Sequence, residues 1–180
     1  MKHIFFLFLF LFSCSNHTII PKPKAFFYNE LSVPSYVNYI TNCGYSFFIN
    51  SNNEIDLENC NMKIKNSSLN STLYLSKINI QNNFNLIDSD FSKKINENSK
   101  NAFVVNVSEY NDLENKVFAK YFSFIGDAPS NTRFYITDSI SVYLTGSLYF
   151  DSKPNYDSLL PSIHLLNNDI RKMIQTFKWK

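Results

Sequence analysis

The clearest pattern in the chain runs from Ile140 to Phe150. Val142, Leu144, Gly146, Leu148 and Phe150 alternate with Ser141, Tyr143, Thr145, Ser147 and Tyr149. A period of two with one apolar and one mostly polar face predicts a half-buried antiparallel strand. The following segment changes period. Leu159, Ile163, Leu166, Ile170, Met173 and Phe177 recur at spacings of four and three, which predicts an amphipathic closing helix. Asp157 or Ser158 is its expected N-cap, with Pro161 in the first turn, where amides lack intrahelical partners. A second helix is predicted over 83–98, because Phe84, Ile87, Phe91 and Ile95 share one face.

The remaining apolar runs read as strands. Ala25–Asn29 predicts a short one, followed by a turn-rich stretch around Pro34. Tyr45–Asn50 and Asn61–Lys65 predict two more. Leu73, Leu75, Ile78 and Ile80 switch phase, which predicts a longer strand with a bulge or break. Ala102–Tyr110, Lys116–Ile125 and Thr132–Thr137 complete the set, with a turn beginning at Asn111-Asp112. Strands, helix, sequential strands, helix is the order of an α+β domain: an antiparallel β-sheet flanked by helices. The chain is long enough for one such domain, assigned to 25–180.

The first residues do not belong to that pattern. Lys2 precedes a nine-residue apolar run, Ile4 to Phe12. That run is too short to span ~30 Å of hydrocarbon but suits a signal peptide. Leu11-Phe12-Ser13-Cys14 resembles a lipobox. Residues 1–13 are therefore expected to be the lipoprotein signal peptide, and Cys14 the acylated N-terminus. Residues 14–24, with Pro21 and Pro23, form the expected tether. The expected partner of Cys14 is the lipid bilayer, and fatty acyl chains on one Cys make a firm anchor. No acid closely follows Cys14, so by analogy with lipoprotein sorting the outer membrane, facing the periplasm, is the expected location.

That compartment is oxidising, so Cys43 and Cys60 are expected to form a disulfide. Two cysteines and a distant His lack the paired spacing of a zinc site, so neither a metal nor a cofactor is expected. Charge adds little. Seventeen basic residues oppose fifteen acidic ones, a net charge of +2, and the basic residues are scattered. No nucleic-acid partner is expected. The three glycines, Gly44, Gly126 and Gly146, form no phosphate-cradling loop.

Candidate chemistry gathers near the C-terminus. Ser158, His164 and Asp157 or Asp169 have the residue types of a hydrolase triad. On one helix, however, Ser158 and His164 face apart, and no GxSxG elbow occurs. No enzyme is expected; the alternative is a periplasmic hydrolase or envelope-modifying enzyme with an unrecognised site. The polar loop Asp151, Ser152, Lys153, Pro154, Asn155 and Tyr156 joins two regular elements and is the candidate partner contact. Tyr135, Tyr143, Tyr149 and Phe134 offer aromatic area on the sheet faces. Asp138-Ser139-Ile140 and Asp157-Ser158-Leu159 resemble an O-glycosylation pattern, which makes Ser139 and Ser158 candidate acceptors.

A broader resemblance follows from combined pieces. They are Thr137-Asp138-Ser139, Gly146-Ser147-Leu148-Tyr149-Phe150, Pro154-Asn155, Asp157-Ser158, Asp169-Ile170 and Thr176-Phe177-Lys178-Trp179-Lys180. Upstream, Pro21-Lys22-Pro23-Lys24, Cys43 before Tyr45-Ser46-Phe47, Cys60, and Leu75-Ser76 add to them. Together they resemble the gliding motility lipoprotein GldD family of Bacteroidota over nearly the whole mature chain. The resemblance implies a non-catalytic assembly or stabilising component of the gliding and type IX secretion machinery, with other machinery proteins as partners. The element order also resembles a PsbP-like sandwich. The chain departs from the family at Asn61, Tyr74 and Thr145, where the family carries Trp, His and Arg. No ligand role built on those groups transfers to this chain.

Overall fold

The structure is a computed structural model that describes residues 33–153 and 155–180. Its elements are β1 (Tyr36–Ile40), β2 (Tyr45–Asn50), β3 (Glu54–Glu58), β4 (Asn61–Asn66), β5 (Ser71–Asn79), α1 (Phe84–Ser99), β6 (Val104–Asp112), β7 (Val117–Ile125), β8 (Thr132–Thr137), β9 (Val142–Phe150), α2 (Tyr156–Gln175) and β10 (Lys178–Trp179). The predicted strand Ala25–Asn29, Cys14 and the tether lie outside the described residues. The architecture is α+β, as the alternating patterns predict.

Seven strands form one antiparallel sheet in the order β3-β4-β5-β9-β8-β7-β6. Three form a small sheet in the order β1-β2-β10. Register sorts the side chains of the large sheet into two faces. Leu144, Gly146 and Leu148 of β9 lie level with Leu75 and Leu73 of β5 and with Ile136 and Phe134 of β8. This face packs under α2 and the small sheet. Leu166, Ile170, Met173, Tyr45 and Phe47 close the larger core there. The opposite face meets α1. Ile87, Phe91 and Ile95 pack with Phe124 and Tyr143, ringed by Phe122, Tyr135 and Ile78.

Two faces and two cores explain the phase switch in β5. Leu73 and Leu75 join the core under α2, whereas Ile78 joins the core under α1. The predicted bulge or break is absent. Nine consecutive pairs join β5 to β9 without interruption. The apolar positions change face because the covering layer changes, not because the backbone does.

Other boundaries shift for local reasons. β1 and β3 were not predicted. β1 is half-exposed along its length and lacks a clean alternation. Glu54-Ile55-Asp56-Leu57-Glu58 does alternate, and its Ile55 and Leu57 pack on the larger core. β9 begins at Val142, not Ile140, because the Asp138 carboxylate holds the preceding turn. One of its oxygens accepts from the amides of Ile140, Ser141 and Val142 at 3.0, 2.8 and 2.9 Å. β6 runs through Asn111 and Asp112, which were expected to turn. The turn comes later, where Asp112 accepts from the Asn115 amide at 2.9 Å.

The N-cap of α2 is Asn155, not Asp157 or Ser158; its side chain accepts from the Ser158 amide at 3.4 Å. The helix therefore starts at Tyr156, earlier than expected. Pro161 falls in the second turn instead of the first and removes one interior hydrogen bond. At the other end Phe177 lies beyond the helix. Thr176 turns the chain, its hydroxyl donating to the Lys172 carbonyl at 2.7 Å. Phe177 then stacks on Tyr45, with ring centroids 5.3 Å apart, and β10 pairs with β2. Asp169 joins α2 to the small sheet. It accepts from the Tyr36 hydroxyl at 2.6 Å and from Asn50 Nδ2 at 3.1 Å.

Cys43 and Cys60 are joined by a disulfide, with Cα atoms 5.6 Å apart. Cys43 lies just before β2, and Cys60 lies in the two-residue β3–β4 turn, where Asn59 and Cys60 both take positive φ. That is the conformation of a type I′ hairpin turn. The bond staples the small sheet to the large one.

Candidate functional site

Helix α1 covers only part of its face of the large sheet. Beside its C-terminal half the sheet stays open as a groove of about 620 Å³. The floor comes from the polar register of three central strands. β5 supplies Tyr74 and Ser76, β9 supplies Thr145, Ser147 and Tyr149, and β8 supplies Arg133. Tyr74, Ser147 and Arg133 form one straight cross-strand row. Here Ser76, Thr145 and Ser147 are short, so a depression forms between larger neighbours.

The walls are firm. Lys94, Glu97 and Asn98 project from α1, and Pro129 from the β7–β8 turn. Asn98 is buried and clamps that turn. Its Nδ2 donates to the Ser130 carbonyl at 2.7 Å, and its Oδ1 accepts from the Ser130 amide at 3.0 Å. Tyr74 and Tyr149 meet edge to face, with centroids 5.8 Å apart. Arg133 lies over the Tyr149 ring at 5.9 Å and donates through Nη2 to the Tyr149 hydroxyl at 2.8 Å. Its Nε is buried and has no acceptor. Among the described residues, the ion pairs Lys63–Asp56 and Lys120–Glu109 do not involve Arg133 or Lys94. The guanidinium is thus fixed at one corner and, among the described residues, has no carboxylate partner.

The aromatic residues expected to offer docking area divide. Tyr135 and Tyr143 are 4.8 Å apart under α1, and Phe134 is buried on the α2 side. Only Tyr149 reaches the groove. Burial, then the nearby Asp88, pushes the Tyr143 hydroxyl far above its ordinary pKa. It donates to Asp88 at 3.3 Å in a part-buried contact beneath α1. The groove was not singled out from the sequence, although the polar positions of β9 were. The missing signal was the pairing of β9 with β5 and β8, which single-sequence periodicity does not supply. Tyr74 and Thr145, two of the departures from the family pattern, both line this groove.

The candidate contact loop leaves the same end of β9. Asp151 donates its amide to the Asn70 carbonyl at 2.9 Å. Tyr156 donates its amide to Asp127 Oδ1 at 2.8 Å. Asp151, Lys153 and Asn155 are exposed, Tyr156 is half-buried, and Pro154 lies outside the described residues. The β7–β8 turn therefore anchors this loop through Asp127 and walls the groove through Pro129. A smaller cavity of about 200 Å³ lies between α2 and β6–β7, where Arg171 stands over the Tyr121 ring at 5.4 Å.

The triad residues do not converge. Ser158 donates its hydroxyl to the Asn155 carbonyl at 3.1 Å in the first turn. His164 is exposed six residues on, about 9 Å further along the helix axis. Asp169 is committed to Tyr36 and Asn50. Among the described residues no three His, Cys, Asp or Glu side chains are grouped to hold a metal ion, and no helix is long and apolar enough to cross a membrane. Ser139 sits exposed in the β8–β9 turn at φ 65°, while Asp138 before it is occupied by turn amides.

A family model described as gliding motility lipoprotein GldD matches residues 16–179. That span takes in every described residue but Lys180. No curated protein matches the chain.

Proposed function

The chain belongs to the gliding motility lipoprotein GldD family, and from that premise we propose that it is a non-catalytic assembly or stabilising component of the gliding and type IX secretion machinery. The observation that carries this reading is the family match over residues 16–179. Acylated Cys14 anchors the domain at the outer membrane, facing the periplasm, with residues 14–24 as the tether. The domain works by contact. Its open groove and the adjoining loop Asp151 to Tyr156 share one end of a rigid sheet, a fitting place for recognition. Ser158 is engaged in helix capping geometry and His164 stands apart, which favours a binding module over a hydrolase.

The test is a clean deletion complemented in cells. Loss of the chain stops gliding and type IX secretion, and the wild-type chain restores both. Cys14→Ala releases the domain from the membrane fraction and does not restore either. A deletion strain that glides and secretes normally would refute the proposal, and continued anchoring of Cys14→Ala would refute the lipid attachment.

A further inference from the structure

We propose that the groove between α1 and strands β5, β9 and β8 binds an acidic saccharide, a sugar ring carrying a carboxylate or phosphate. The inference rests on reading this groove as a binding face and adds its ligand class.

The groove holds a fixed cation. Arg133 is half-buried and pinned by the Tyr149 hydroxyl at 2.8 Å, with its guanidinium carbon 5.9 Å from that ring's centroid. Among the described residues no carboxylate forms an ion pair with it. Guanidinium groups present a planar fork of donors suited to carboxylate and phosphate. Nη2 donates to Tyr149, the buried Nε is out of a ligand's reach, and among the described residues no other hydrogen bond of the guanidinium occupies its terminal nitrogens. Lys94 on the wall adds a second positive charge, against the single carboxylate of Glu97. An anionic group therefore gains both charge and hydrogen bonds beside Arg133.

The rest of the floor suits a sugar ring. Ser76, Thr145 and Ser147 present short hydroxyls side by side, each able to donate and accept. Tyr74 is substantially exposed, and with Tyr149 offers aromatic surface at right angles. Ring surface for apolar C–H faces, hydroxyls for hydroxyls and a fork for an acid match a charged sugar. The volume, about 620 Å³, lies within the roughly 300–1,000 Å³ of small-ligand sites.

An extended peptide fits this face less well. Extended peptides dock on sheets by adding a strand to a free edge. β5, β9 and β8 each have neighbours on both sides, so their backbone groups are spent. Recognition here goes through side chains alone.

The test uses the full-length chain, purified from membranes in a polyoxyethylene detergent so that no sugar detergent competes. Binding of D-glucuronate, D-glucose, acetate and a polyglutamate peptide is measured by calorimetry and by saturation-transfer NMR. D-glucuronate is expected to bind about tenfold tighter than D-glucose or acetate. Arg133→Gln is expected to remove that advantage, and Ser76→Leu, which fills the floor without touching Tyr149, to abolish binding. Unfolding curves confirm that each variant is folded; if Arg133→Gln is not, Ser76→Leu carries the test. Equal binding of acetate and D-glucuronate, indifference to both substitutions, no binding at millimolar ligand, or tighter binding of polyglutamate would each overturn the proposal. If saccharide binding fails while folded Arg133→Gln still fails to restore gliding, the ligand class falls and the binding face stands.

Discussion

Gly146 shows how a single position constrains this fold. It faces the core from the middle of β9, and the Phe134 ring of β8 lies across it. A Cβ added there would overlap the ring, and Phe134 is fully buried with nowhere to go. Overpacking a filled core typically costs ~1–3 kcal/mol, occasionally more. Gly146→Ala should lower stability by at least about 2 kcal/mol in urea unfolding, well beyond a surface substitution. Asp138 constrains a turn electrostatically. Burial pushes its carboxyl up, but hydrogen bonds from the Ser141 hydroxyl and the amides of Val142, Ile140 and Ser141 outweigh it and hold it below its ordinary pKa. The stabilisation is therefore present above the ordinary Asp value of about 3.9 and is lost as pH falls through the lower folded-state value. Asp138→Asn should cost about 1–2 kcal/mol at neutral pH. Urea midpoints measured against pH should show variant and wild type converging in acid.

At the scale of elements, the staple between the two sheets matters most. The Cys43–Cys60 disulfide has a sequence separation of 17, and closing such a loop is worth about 3 kcal/mol in the chain-entropy model. Besides the disulfide, Lys77 of β5 donates to the Cys43 carbonyl at 2.7 Å, so the joint has a second tie. Replacing both cysteines with Ala should lower unfolding stability by about 3 kcal/mol. Proteolysis should then begin near β1 and β2, ahead of the central strands.

Element by element, legibility tracked how each face is covered. β9 and α1 were plain because one layer covers each of their apolar faces throughout. β5 misled because its two halves feed different cores. β1 hid because it is half-exposed, and β3 because two partly buried residues make a faint signal. Phe177 continued the helical spacing of α2, yet Thr176 ends the helix and the aromatic cluster with Tyr45 captures it. The groove was least legible. It is built from polar positions of three strands that only pairing brings together, and Arg133 stands beside Tyr149 only through the pairing of β8 with β9.

Across the whole molecule, the two faces of the large sheet are covered differently. One is sealed by α2, the small sheet and the disulfide. The other is half covered by α1 and leaves a firm polar groove next to the loop from Asp151 to Tyr156. The central claim is that this domain serves gliding and secretion by contact and not by catalysis. The most direct measurement is complementation of the deletion by the Ser158→Ala, His164→Ala double variant, scored by gliding speed and type IX secretion. Wild-type recovery of both is expected. Failure to restore either, with the variant folded and in the membrane fraction at wild-type abundance, would contradict it.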